Sequence, residues 1–265
     1  MNMVVCIKQV IDPEAPPTSF KIDAAANKVI PPAGNPVVDP YSEYAVEAAL
    51  RIKDTKGGKV TALSLGSDQR REIVKKPLAM GADDLILLED AAFDGGDSWS
   101  IAYALAMAIK KVGSYDLIFC GREASDWNAG QVGSGIAEIL GIPSVTLVRK
   151  VEIVDNKARV QRVTDEGYEV IDISLPAVIT LSNELGTPRY PNMKGIMTAK
   201  KKEPIIWKPA DIGVEAAKVG AAGRRSKLLK LFQPVREGKC EIVTGETPEE
   251  AAAKLAVKLR EAKVL

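Results

Sequence analysis

The stretch GREASDWNAGQVGSG, residues 121–135, has the residue types of an anion site. It follows an apolar run, YDLIFCG, and leads into a helical pattern. Gly130, Gly133 and Gly135 allow close backbone approach, and the first N–H groups of a helix favour negative charge, so a phosphate fits there. Ser125, Asn128, Gln131 and Ser134 would add side-chain donors. The spacing is neither GxGxxG nor a Walker P-loop, so the usual dinucleotide and triphosphate readings fail. On pattern alone, an anion-binding turn and a merely tight connection both stay open. Two further candidates are less specific. Asp39, Pro40, Tyr41 and Ser42 precede a long helical pattern, and a helix cap with proline in the first turn accounts for them equally well. Lys8, at the end of the first apolar run, reads as a phosphate contact or as a solvated charge.

Much other chemistry is excluded. There is no histidine among the 265 residues, which removes Ser-His-Asp and Cys-His catalysis and histidine-ligated metals. Cys6, Cys120 and Cys240 are far apart and form no CxxC pair, so a dithiol or thiolate metal site is not expected. Cys6 and Cys120 end apolar runs, where a small buried thiol is the simplest reading. Asp165 and Glu166 sit beside Gly167 in a hairpin turn, which makes them solvated turn residues rather than a catalytic pair. A net charge of +1 argues against a nucleic-acid binder. No run reaches the length of a membrane-spanning helix, and MNMVVCIKQV is too short for a secretory signal and reads as a first strand. A soluble cytoplasmic protein is therefore expected.

The elements that must position these residues alternate. MVVCIK, KVTALSLG, DLILLED and YDLIFCG are strand-like. Between them, PYSEYAVEAALRIKDTKG and DSWSIAYALAMAIKKVG are helical, the first stopped by Gly57 and the second opened by an Asp or Ser cap. SDQRREIVKKPLAMGA is helical with a break at Pro77. The alternation predicts an α/β fold with a three-layer, mostly parallel sheet, and such sheets hold ligands beyond the carboxyl ends of their strands. The turns after IKQV, at LSLGSD and at FCGREASDWNAGQVGSG fit that place. From about residue 144 the chain is β-rich, read as antiparallel hairpins with turns at 156–157 and 165–167. GTPRYPNMKGIMTAKKKEP, residues 186–204, is too rich in Pro and Gly for a regular helix or strand, yet it carries Met193, Ile196 and Met197. Residues 200–265 read as an extended arm closed by a helix with a Thr cap and Pro248 at its first position.

The order and spacing of VIDPE, NPVVDPYSEYAVEAALRIKD, LAMGADD, VQRVTDEGYEVIDISLPAVIT, PRYPNMKGIMTAKKKE and KPADIGV are similar to those of electron transfer flavoprotein beta subunits over nearly the whole chain. The resemblance implies an adenine nucleotide hydrolase-like nucleotide-binding domain over 1–199 and a C-terminal arm over 200–265 that wraps a larger α subunit. It implies a heterodimer in which the α subunit carries an FAD reduced by an acyl-CoA dehydrogenase-type flavoenzyme, with no catalytic residue and no metal in this chain. It assigns the nucleotide site to Cys6 and Lys8, to Asp39, Pro40, Tyr41 and Ser42, and to Leu65 and Gly66. The assignment continues over Gly121, Arg122, Glu123, Ala124, Ser125, Asp126, Trp127, Asn128, Ala129, Gly130, Gln131, Val132 and Gly133. The ligand is AMP in one-flavin relatives and a second FAD in bifurcating ones. Gln131-Val132-Gly133 and Tyr190-Pro191 follow the bifurcating pattern, whereas Trp127 and Asn128 depart from it. The segment 186–199 then answers to a recognition loop, with Met193 as the anchor entering a partner dehydrogenase, Tyr190 and Ile196 beside it, and Met197 packed in the core. Two other classes stay in view: a stand-alone nucleotide-binding regulatory module, and a carboxylate-based enzyme.

Overall fold

The computed structural model describes residues 1–31, 34, 36–234, 238 and 240–265. Strands β1 (Asn2–Ile7), β2 (Gln9–Val10), β3 (Lys21–Asp23), β4 (Lys28–Ile30) and β5 (Val37–Val38) lead to helix α1 (Pro40–Lys56). Then come β6 (Lys59–Leu65), α2 (Arg71–Val74), α3 (Lys76–Met80), β7 (Asp84–Leu88), α4 (Ser98–Val112), β8 (Leu117–Gly121) and α5 (Val132–Leu140). Four strands follow with no α-helix between them: β9 (Ser144–Val154), β10 (Lys157–Thr164), β11 (Gly167–Ser174) and β12 (Ala177–Leu181). Helix α6 (Met193–Lys201), β13 (Ile205–Trp207), α7 (Gly220–Gly223) and α8 (Pro248–Glu261) complete the chain.

One nine-stranded sheet runs in the order β11-β10-β9-β12-β8-β1-β6-β7-β13. Its central strands are short, apolar and buried on both faces, as parallel strands under two helical layers must be. Met3, Val5 and Ile7 of β1 face one layer with Val46, Ala49 and Leu50 of α1. Val4 and Cys6 face the other with Ala102, Leu105 and Ile109 of α4 and Ile136 of α5. From β1 the chain steps outward through β6 and β7, then returns to the opposite side of β1 as β8. That reversal opens a crevice at the carboxyl ends of β1 and β8.

Local signals are obeyed where they are local. Gly57 ends α1 at φ 70°, and the helix expected across Pro77 is divided into α2 and α3. Thr247 caps α8, accepting from the Glu250 N–H at 3.2 Å, with Pro248 at its start. Three expectations need correction. The β-rich stretch is antiparallel only over β9, β10 and β11; β12 pairs parallel with both β8 and β9. Its five residues are all buried, which suits an interior strand rather than a hairpin arm. The first hairpin turns on Asp155 and Asn156, both at positive φ, so Lys157 opens β10 instead of completing the turn. Within 186–204 a nine-residue helix, α6, does form. Asn192 caps it, accepting from the Gly195 N–H at 2.8 Å. A Cβ on Gly195 would lie 2.2 Å from the Ala79 carbonyl oxygen, so this glycine lets α6 lie directly on α3.

Past residue 199 the chain adds β13 to the sheet beside β7, and Ile212 and Val219 are buried with the α4 cluster. Of the residues read as an arm, 235–237 and 239 lie outside the described residues, as does Asn35 of NPVVDPYSEY. Beyond residue 223 the described arm is irregular until α8, with Leu229, Phe232 and Ile242 exposed and no α8 residue buried. Among the described residues no helix is long and apolar enough to cross a membrane.

Candidate functional site

Asp39 is the centre of the crevice. It is 1% exposed and stands at the N-cap of α1. One carboxylate oxygen accepts from the Ser42 N–H at 3.1 Å, and the other accepts from the Ser125 N–H at 2.8 Å. A single buried carboxylate thus joins the first turn of α1 to the loop after β8. The Asp39 N–H donates to the Lys8 carbonyl at 2.8 Å, and the Lys8 N–H donates to the Ser42 hydroxyl at 3.1 Å, which draws the end of β1 onto the same turn. Asp39 is therefore a cap, as its position implied, and also the latch of the loop.

The loop is shaped by close packing. A Cβ on Gly121 would lie 2.6 Å from Tyr41 Cβ and 2.8 Å from the Tyr41 carbonyl carbon, so only glycine lets β8 end against α1, just beyond Pro40. The Arg122 guanidinium lies 5.2 Å from the centre of the Tyr41 ring and donates to Glu123 at 3.0 Å. Burial raises the Tyr41 hydroxyl above its ordinary range, with the Arg122 charge opposing. The Ala124 carbonyl accepts from the N–H groups of Trp127 at 3.1 Å and Asn128 at 2.8 Å, and Asn128 and Gly130 turn the chain at φ 49° and 63°. Lys8 Nζ is paired with Asp126 at 2.6 Å. Trp127 is 63% exposed, and Ala129 and Gln131 also face solvent.

Helix α5 begins where this loop ends. Asp39, Asp97, Asn192 and Thr247 cap α1, α4, α6 and α8. Among the described helices of nine or more residues, α5 alone starts without a side-chain cap, from Gln131. The N–H groups of its first turn, including Val132 and Gly133, therefore lack the usual acceptor. A Cβ on Gly133 would lie 2.4 Å from Thr180 Cγ2, so glycine holds this turn down on the sheet. The Ser125 hydroxyl is buried with no hydrogen-bond partner. A helix start awaiting an acceptor and an unmatched buried hydroxyl are what a phosphate- or hydroxyl-bearing ligand would satisfy.

Leu65 ends β6, next to β1, and Gly66 follows it, its N–H donating to the Leu88 carbonyl at 3.1 Å. Cys6 and Cys120 are buried in the same helical layer. The neighbouring Cys120 side chain, and then burial, push the Cys6 thiol well above its ordinary range, so it stays protonated. The structure thus brings Cys6, Lys8, Asp39 to Ser42, Leu65, Gly66 and residues 121–133 to one end of the sheet. Sequence reasoning passed over Gln69. It is buried in the turn after Gly66, one residue past LSLGSD, and no local pattern singled it out.

The second candidate surface lies on α6. Met193 is 73% exposed and Tyr190 88%, while Ile196 is half-buried. Met197, expected in the core, is instead 57% exposed. Four residues apart on a helix, Met193 and Met197 share one face, and Ala199 takes the core position. The segment before α6 is tied to α1 by Arg189, which donates to Glu47 at 2.8 Å and to Asp54 at 2.7 Å. Glu47 is 4% exposed and also accepts from Arg51 at 2.8 Å. Burial works against its charge, but the hydrogen bonds from Arg189 and Arg51 outweigh it and lower its pKa.

Comparisons with known proteins converge on one family. Residues 28–212 match the family model described as the electron transfer flavoprotein domain. The chain is 42% identical over 250 residues to the "Electron transfer flavoprotein subunit beta" of Thermoanaerobacterium thermosaccharolyticum, covering 94% of each chain. It is 39% identical over 266 residues to the "Caffeyl-CoA reductase-Etf complex subunit CarD" of Acetobacterium woodii, covering 100% of both. It is 38% identical over 250 residues to the corresponding beta subunit of Mycobacterium bovis, covering 92% of this chain and 93% of that one. With that match along nearly its whole length, the chain belongs to the electron transfer flavoprotein family, among its beta subunits, and its role is in electron transfer.

Proposed function

We propose that this chain is the small subunit of a cytoplasmic, heterodimeric electron transfer flavoprotein whose crevice holds the adenine-nucleotide end of an FAD. The observation that carries the site is the uncapped start of α5 together with the unpartnered Ser125 hydroxyl in the loop that leads to it. The N–H groups of Val132 and Gly133 would hold the phosphates, with Lys8 and Arg122 as the nearby cations. Asp39 keeps the loop closed over them. Bound there, FAD would supply one- and two-electron transfer. The chain's own residues bind, orient and shield it. With a second FAD in the α subunit, such a complex divides an electron pair between two acceptors, and Gln131-Val132-Gly133 supports that bifurcating reading. A relative in a caffeyl-CoA reductase complex supports a partner flavoenzyme of the acyl-CoA dehydrogenase type. Met193, with Tyr190 and Ile196 beside it, would meet that partner, and residues 200–265 would wrap the α subunit. Leu229, Phe232 and Ile242, exposed on the arm, count against a stand-alone nucleotide-binding module.

The second reading is a one-FAD shuttle in which the crevice holds structural AMP. It is favoured by Trp127 and Asn128, which depart from the bifurcating pattern. Co-expression with the α subunit, denaturation and quantification of released nucleotide distinguishes the two. Two FAD per heterodimer support the first reading, and one FAD with one AMP the second. Neither AMP nor a second FAD would remove the crevice as a nucleotide site.

A further inference from the structure

The turn after β6 is fastened by two glutamines. Gln9, from the ribbon that continues β1, accepts from the Arg70 N–H at 2.8 Å and donates to the Asp68 carbonyl at 2.9 Å. Both ends of its amide are matched. Gln69 reaches back within the turn, and its Nε2 donates to the Gly66 carbonyl at 3.0 Å. A carbonyl only accepts, so the Gln69 amide has to present nitrogen to Gly66 and turn its oxygen away. That oxygen is buried and has no hydrogen-bond partner, and the residue as a whole is 8% exposed. Ser64, fully buried two residues before Gly66, also has an unpartnered hydroxyl. Buried acceptors left without a donor are rare and costly, so this oxygen marks a place where a donor belongs. The place is the end of β6, beside β1 and its crevice.

Resting on the nucleotide reading above, we propose that Gln69 Oε1 accepts a hydrogen bond from the exocyclic amine of adenine and so makes the crevice selective for adenine. An amide oxygen can accept from an amino group at the purine 6-position. It cannot pair with the carbonyl oxygen that hypoxanthine or guanine carries there. Gln69 is then a specificity-determining residue, while phosphate affinity stays with α5.

The test uses the full heterodimer, freed of crevice nucleotide by mild chaotrope, and three probes: AMP, inosine monophosphate and purine riboside monophosphate, which lacks the amine. Dissociation constants are measured by calorimetry for the natural protein and for Gln69→Leu. The expected result is AMP bound about tenfold more tightly than either analogue by the natural protein, as one hydrogen bond gives. Gln69→Leu should reduce that preference to about twofold or less, leaving purine riboside monophosphate unchanged. Equal binding of AMP and purine riboside monophosphate by the natural protein would overturn the proposal without needing the variant to fold. So would a preference for AMP that persists in Gln69→Leu. Binding of no nucleotide at all would remove the nucleotide reading itself, and this proposal with it.

Discussion

The crevice and the α6 surface place opposite kinds of residue against their expected environment. In the crevice a carboxylate, Asp39, is buried and fully engaged. On α6 and just before it, two methionines and a tyrosine stand in water. Burial of polar groups in a fixed network suits a small ligand that must be held in one pose. Exposed, flexible apolar groups suit a protein surface met transiently. Yet both regions hang from the same helix. Asp39 caps α1 and latches the crevice loop through Ser125; Glu47, about 12 Å further along at helical rise, latches the segment before α6 through Arg189. One rigid element therefore sets the position of the crevice loop and of the exposed α6 face, and each latch can be broken separately.

The largest effect is expected at Asp39. Asp39→Ala removes a helix cap and a charge-assisted bond to Ser125 together, and should cost about 3 kcal/mol of unfolding free energy. Denaturant titration reads the loss, and nucleotide content should fall with it while the partner surface keeps its form. Met193→Ala should do the reverse. Electron transfer from the partner flavoenzyme should weaken by about 2 kcal/mol in kcat/KM, with nucleotide content unchanged. An unaltered rate would take Met193 out of the docking role. Met197→Ala, on the same face, should give a smaller loss in the same assay.

Glu47→Gln sharpens the comparison further. It keeps the shape of the side chain but puts an amide nitrogen, which only donates, where one carboxylate oxygen accepts from Arg51 or Arg189, so the bonds on that side are lost at a cost of about 1–3 kcal/mol. Partner turnover should fall several-fold while nucleotide content holds. If nucleotide is lost instead, the two ends of α1 are not independent.

What the sequence made legible was local. The caps, the break at Pro77, the stop at Gly57 and the alternation that predicts a parallel sheet all act over a few residues. The Asp39 latch does not, because Ser125 lies 86 residues away and nothing in either motif names the other. The interior place of β12 was hidden for the same reason: a short run, apolar but for Thr180, is written alike for an inner strand and a hairpin arm. Helix α6 was missed because Gly195 looked like a breaker, whereas its purpose is contact with the Ala79 carbonyl. Once the helix is known, the exposure of Met197 follows from its spacing to Met193. Gln69 had no signal at all, since a buried amide with one free end is a property of the folded turn.

A third latch, at the root of the arm, gives the smallest effect and the cleanest sign. One Asp97 oxygen caps α4 through the Ser100 N–H at 3.1 Å. The other accepts from the Arg225 N–H at 2.7 Å and from the Ser226 N–H and hydroxyl at 2.8 and 3.0 Å. The Arg225 guanidinium lies 3.8 Å from the centre of the Trp99 ring, so backbone and side chain are both held. Burial works against the Asp97 charge, but these hydrogen bonds outweigh it and bring its pKa down to about 2. An aspartate in the unfolded chain titrates near pH ~3.9. The folded value is the lower one, so the latch contributes fully above pH ~4 and is lost as the pH falls through about 2. Nothing should change between pH ~5 and ~8, where the group is charged in both states. The amide resonance of Ser226, followed by NMR, should therefore step with a midpoint near pH 2 and lose the step in Asp97→Asn. A midpoint near the unfolded value would mean that the root of the arm is not held by charge. Asp97 would then serve α4 alone, unlike Asp39 and Glu47, which each tie a distant segment to their helix.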